Sequence, residues 1–204
     1  MSYAVTTITP EIGGLPKVLE GVKAAVTGDG FAGTLLGCFT AEIGGLNQVL
    51  ILQAYDDDRA LAEDRARQVL DGNPFGAAEH YREIRSSTYA SFDFVPPITP
   101  GKHGPVYEFR IYGLKAAGLK PTIELWRQAV PERAKVSPLL GCMYAIDGDL
   151  PRFLHIWPYA SLDDRMAKRT RSVEIGIWPP KGGPAHLASM SSGIYLPTAF
   201  SPLS

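Results

Sequence analysis

Apolar and polar side chains alternate along "VYEFRIYGL", Val106–Leu114, and a period of two predicts a strand. The period then changes. In "LKPTIELWRQAV", Leu119–Val130, Ile123, Trp126 and Val130 recur at spacings of three and four, which places them on one face of a helix; Pro121 is accepted in its first turn. "LLGCMYAI" from Leu139 reads as a second strand and "RFLHIWPY", Arg152–Tyr159, as a third, with Gly148 of "DGD" free to make the turn between them. "SLDDRMAKRTRSV" follows as a helix, with Ser161 as its cap and Asp164 three residues on in the manner of a capping box. "SMSSGIYLP", Ser189–Pro197, is a fourth strand. The order β-α-β-β-α-β is the ferredoxin-like unit.

The same pattern occurs earlier in the chain. "LLGCFTAEIGGLNQVLILQAY", Leu35–Tyr55, and "LLGCMYAIDGDLPRFLHIWPY", Leu139–Tyr159, agree at nine of 21 positions without a gap, which is too many for chance at one fixed offset. A shift of 104 also superposes Tyr3 on Tyr107, Gly14 on Gly118, Ala25 on Ala129, Arg65 on Arg169 and Arg67 on Arg171. Later the register slips, and Phe75 pairs best with Trp178. The join lies in "PPITPGKHGP", Pro96–Pro105, whose prolines and glycines continue neither a helix nor a central strand. The expected division is residues 1–97, a linker over 98–104, and residues 105–204. A four-stranded sheet with both helices on one face leaves its other face bare, and that face is apolar here: Leu50, Leu52 and Ala54 alternate with Val49, Ile51, Gln53 and Tyr55. Two such sheets packed against each other cover both faces. The fold class is therefore α+β, two ferredoxin-like modules packed sheet to sheet as an internal pseudo-dimer, with further homo-oligomerisation left open.

Composition narrows the partners. Of 204 residues, 45% are hydrophobic and 20% charged, enough for a packed core, and the formal net charge is -1 with both signs interspersed. That balance argues against nucleic acid as a partner. No apolar run approaches the length of a membrane-spanning helix, and the N-terminal residues lack a basic segment followed by a long apolar one, so no integral membrane segment or secretory signal is expected. Two cysteines, Cys38 and Cys142, fit a reducing cytoplasm.

"YEFRIYGLKAAGL", "LLGCMY", "LPRFLHIWPYASLDDRMAKR" and the closing "YLPTAFSPL" resemble the NIPSNAP family of the dimeric α/β barrel group. The second copy carries the resemblance over roughly residues 105–204; the first keeps the framework in "LNQVLILQAYDDDRALAEDR" and loses the tryptophan. The resemblance implies the fold derived above, with the two modules packed as an internal dimeric α/β barrel. It implies no set of catalytic residues, because related barrels include monooxygenases, isomerases, haem-dependent enzymes and pure binding proteins.

Little in the chain announces chemistry. "GDGFAG", Gly28–Gly33, spells the dinucleotide fingerprint, but a helix precedes it and a strand follows, the reverse of what that site needs, so it reads as a loop. Cys38 and Cys142 occupy equivalent strand positions and read as buried thiols, not bridged to each other. The informative feature is asymmetry between the copies. Arg110, Tyr112, Tyr144, His155, Trp157 and Arg165 fall opposite Thr6, Ile8, Thr40, Ile51, Gln53 and Leu61. Polar and aromatic residues gather in copy two, whereas Tyr159, Arg169 and Arg171 have counterparts in copy one, as a scaffold requires. Phe153, His155, Trp157 and Tyr159 alternate onto one strand face, and His155 is the catalytic candidate, able to serve as acid, base or ligand; the plainer alternative is a buried neutral imidazole. Arg165 and Arg169, four apart, share a helix face and suit a carboxylate clamp or simple solvation. Trp126 and Trp157 are core or the walls of an apolar pocket. The expected ligand pocket comprises Arg110, Tyr112, Trp126, Tyr144, Trp157, Tyr159, Arg165 and Arg169, with no metal and no cofactor. Two functions follow: a small-molecule binding protein or cofactorless enzyme acting on a hydrophobic metabolite in the second module, or a non-catalytic protein–protein interaction module. A cavity lined by His155 and an arginine favours the first; a filled core with an apolar outer patch favours the second.

Overall fold

The computed structural model describes residues 1–204. β1 (Ser2–Pro10), α1 (Leu15–Thr27), β2 (Thr34–Ile43), β3 (Val49–Tyr55), α2 (Asp58–Asp71) and β4 (Tyr81–Ser91) form the first copy. β5 (Val106–Leu114), α3 (Leu119–Val136), β6 (Gly141–Ala145), β7 (Arg152–Tyr159), α4 (Leu162–Glu174) and β8 (Leu187–Pro197) form the second. Within the copies the strands lie in the orders β4-β1-β3-β2 and β8-β5-β7-β6, all antiparallel. The two sheets do more than face each other. β2 pairs with β8 and β4 with β6, which closes an eight-stranded barrel and leaves no sheet edge unpaired.

The seams repeat one another. Ala41 stands opposite Tyr195 in one, and Ala145 opposite Tyr89 in the other. The Thr198 N–H donates to the Cys38 carbonyl at 2.9 Å, and the Phe92 N–H donates to the Cys142 carbonyl at the same distance. Both tyrosines point inward and join a buried cluster of 18 side chains drawn from both copies, including Tyr3, Tyr107, Phe39 and Phe109. Ile98, from the segment after β4, and Leu203, from the segment after β8, reach the same interior. Burying one Leu- or Phe-sized side chain is worth roughly 1.5–3 kcal/mol. The shared interior therefore gives the two copies one common core.

Helices cover the outside. Val18, Val22 and Val26, one face of α1, are buried against β1 and β3 with Cys38, Ile51 and Phe75. α3 and α4 cover the second sheet, and α3 runs six residues past the expected end, through Pro131. Ser161 caps α4, its Oγ accepting from the Asp164 N–H at 3.0 Å, but the Asp164 carboxylate reaches back to the Ala160 N–H instead of that of Ser161. Gly28–Gly33 lies in the connection between α1 and β2. No helix is long and apolar enough to cross a membrane.

Candidate functional site

Alternation along β5 sends Tyr107 and Phe109 into the barrel, and Glu108, Arg110 and Tyr112 outward beneath the helices. On the neighbouring β7, Trp157 stands opposite Glu108, His155 opposite Arg110, and Phe153 opposite Tyr112. Between this face, α3, α4 and a short turn at Gly183–His186 lies a cavity of about 290 Å³. Six of the expected pocket residues line it: Arg110, Tyr112, Trp126, Trp157, Tyr159 and Arg169. Arg133, Trp178, Val173 and Met190 join them, and none of these four was read from the sequence as part of the pocket.

Three expected residues do not line the cavity. Tyr144 sits on β6 at the seam opposite Ala90, its ring 6.4 Å from that of Phe92. Arg165 lies behind the wall, where its Nη2 donates to Glu108 Oε1 at 2.6 Å. His155 is 1% exposed, enclosed by Tyr112, Trp126 and Phe153. Its Nδ1 accepts from Trp157 Nε1 at 2.6 Å, which places the imidazole proton on Nε2, a buried atom without a partner. Burial, reinforced by the charges of Arg110, Arg169 and Arg133, holds its pKa well below the ordinary histidine value. The imidazole is neutral and turns no free lone pair toward the cavity.

Glu108 organises the charges. It is wholly buried and accepts from Arg165 and from Ser192 Oγ, each at 2.6 Å, with Arg169 at 3.5 Å and Arg110 at 3.7 Å. Burial alone raises a carboxyl pKa; here the hydrogen bonds from Arg165 and Ser192 and the charges of Arg110 and Arg165 outweigh it, and the carboxyl stays below its usual range. Tyr159, also against Glu108, is pushed up by burial and by that carboxylate.

Arg133 has no such counter-ion. It is 3% exposed, its Nε and Nη1 are buried without hydrogen-bond partners, and it makes no ion pair with any carboxylate. Its guanidinium lies over the Trp157 ring at 4.7 Å and the Trp178 ring at 5.8 Å. These rings stabilise a desolvated cation only in part. Three guanidinium groups thus surround one carboxylate, and a fourth, Arg133, has none. The site is a cation-rich, aromatic-walled cavity, suited to holding an anion attached to an apolar body.

The corresponding region of copy one is built from different contacts. Ala4 and Leu61 replace Glu108 and Arg165 and pack with Tyr55. Gln53 Nε2 donates to the Ala32 carbonyl and to Tyr55 Oη, and that hydroxyl donates to Asp64 Oδ2 at 2.6 Å. No group of three or more His, Cys, Asp or Glu side chains is arranged to hold a metal ion.

Two ferredoxin-like halves closed into eight antiparallel strands define a dimeric α/β barrel built within one chain. The chain belongs to the NIPSNAP family, which matches residues 4–93 and again residues 107–202. It is 26% identical over 199 residues to a NipSnap homolog of Dictyostelium discoideum, covering 96% of this chain and 86% of that one. Among solved structures, an anthrone oxidase-like protein superposes with a TM-score of 0.69 at 12% identity, over 98% of this chain and 93% of its own. A candidate monooxygenase from Lactobacillus acidophilus superposes with a TM-score of 0.61 at 10% identity, over 96% and 93%. At these identities the two structures share the fold alone.

Proposed function

We propose that this protein binds a hydrophobic small molecule bearing an anionic group, in the cavity of its second module. The observation that carries the reading is Arg133. A buried guanidinium keeps its charge at every accessible pH, and leaving it without an anion costs several kcal/mol. A bound carboxylate supplies that anion, while Tyr112, Trp126, Trp157 and Trp178 supply apolar walls. The reading is of a binding protein, not an acid–base catalyst. Glu108 is held ionised by its donors, and burial raises the Tyr112 and Tyr159 phenols. His155 serves to position Trp157. The resemblance in fold to a protein named for oxidase-like character adds no residue to this assignment.

Arg133→Met tests it. Removing an uncompensated buried charge stabilises the ligand-free protein, by about 1–2 kcal/mol, while abolishing carboxylate binding. Wild type is expected to gain thermal stability with decanoate or naphthoate, and the variant to gain none, by calorimetry and thermal shift. A variant less stable than wild type whose carboxylate binding is unchanged rules the reading out.

A further inference from the structure

Of the cations that line the cavity, Arg110 lies over the Tyr112 ring at 5.2 Å and Arg169 faces Glu108, so Arg133 is the one left without a carboxylate. Arg133 lies over Trp157, which pairs across the strands with Glu108. Trp126 lies against Phe153, which pairs with Tyr112, and Tyr112 pairs in turn with Met190. The long axis therefore runs from Arg133 to Met190. On α3, Thr122 and Arg133 both line the cavity, and the helix between them is about 16 Å long at about 1.5 Å per residue. Between those two positions a volume of about 290 Å³ is drawn out along α3 rather than gathered at one point. The far end opens to solvent: Val173 and Met190 line the cavity, yet they are 60% and 65% exposed.

Building on the anion-binding reading, we propose that the ligand is a linear alkyl carboxylate of about ten carbons or more. Its head lies at Arg133 and its chain leaves over Val173 and Met190. The volume is about twice the ~150 Å³ that houses one benzene ring, so it takes about twelve non-hydrogen atoms, the size of decanoate. Longer chains extend onto the exposed apolar mouth. A methylene fully withdrawn from water is worth about fourfold in affinity, and one lying on a half-wet surface about twofold.

Titration calorimetry with hexanoate, decanoate, tetradecanoate and naphthoate, below their aggregation limits, tests the proposal on the full chain. Decanoate is expected to bind more tightly than naphthoate, and tetradecanoate about tenfold more tightly than decanoate. Met190→Lys, at the exposed apolar mouth, is expected to weaken tetradecanoate several-fold more than hexanoate and so remove most of the tetradecanoate advantage. Naphthoate binding as tightly as decanoate, or Met190→Lys weakening every chain length equally, overturns the linear ligand and its orientation, while sensitivity to Arg133→Met would still uphold an anion site. Binding of none of the four, or binding indifferent to Arg133→Met, removes both readings.

Discussion

Glu108 of β5 and Arg165 of α4 are joined by an ion pair of 2.6 Å under the sheet-covering helices, and 104 positions earlier the same two places hold Ala4 and Leu61 in apolar contact. One fold thus tolerates either solution at this junction. Glu108→Ala leaves Arg110, Arg165 and Arg169 facing one another without an anion and is expected to cost about 3–5 kcal/mol in urea denaturation. Adding Arg165→Leu, which copies the first module, should recover a substantial part of that loss. A double variant no more stable than the single one would show that the carboxylate serves mainly Arg110 and Arg169.

The same carboxyl gives a pH signature. Its folded pKa lies below its unfolded value, so its contribution is complete above about pH 5 and disappears as pH falls through the folded pKa. The stability difference between wild type and Glu108→Gln should therefore be largest near neutrality and shrink below about pH 4.

His155 should produce the opposite requirement on a histidine. Burial and three arginines depress its pKa, so the unfolded chain takes up a proton near pH 6.5 that the folded protein refuses. Stability is full above that pH and falls by up to about 1.4 kcal/mol per unit below it. His155→Gln, which can still accept from Trp157, should flatten this dependence between pH 7 and pH 5 and leave carboxylate binding within about twofold. An unchanged slope would mean that His155 protonates within the fold.

Much of this architecture was legible in the sequence because it was written twice. The 104-residue offset carried the strand and helix order, and alternation in "VYEFRIYGL" and "RFLHIWPY" gave β5 and β7 their limits. The barrel itself was implied by the family resemblance, but the β2–β8 and β4–β6 seams that close it are long-range pairings that no local period records. At the site, the signal for Glu108 was present but unused: it alternates with Arg110 and Tyr112 and therefore shares their face. Arg133 lies beyond Val130, the last apolar position of the period that marked α3 in the sequence. The helix continues and carries Arg133 seven residues beyond Trp126, onto the same face. His155 was assigned to the correct strand face, but nothing in its own strand reveals that α3 seals it with Trp126.

The cysteines should be inert in the native protein. Cys38 and Cys142 are free, fully buried and in separate clusters; burial pushes the Cys38 thiol up to about 12 and raises that of Cys142 as well. A thiol reagent at pH 8 is expected to modify neither in native buffer and both in guanidinium, with no reductant needed. Intact mass reads the outcome directly. Two alkyl groups added only after reduction would show a disulfide, and rapid native labelling would show an open strand.

The two halves should be unable to stand alone as monomers. Residues 1–97 by themselves expose Tyr3, Val5, Leu50, Leu52 and Tyr89, all buried in the shared interior, and leave β2 and β4 as unpaired edges. Residues 105–204 similarly expose Tyr107, Phe109, Leu154 and Tyr195 beside the free edges of β6 and β8. Each half is expected to self-associate or precipitate when expressed separately. Because each seam joins an Ala to a Tyr, a half has the complementary edges needed to pair with a second copy of itself. Co-expression should give a soluble one-to-one complex with the circular dichroism of the intact chain. Carboxylate binding should return with it, because the cavity is lined entirely by residues between Arg110 and Met190 yet its sheet needs the first half as backing. Two soluble monomeric halves with no affinity for each other would mean that the interior contributes far less than its buried area implies.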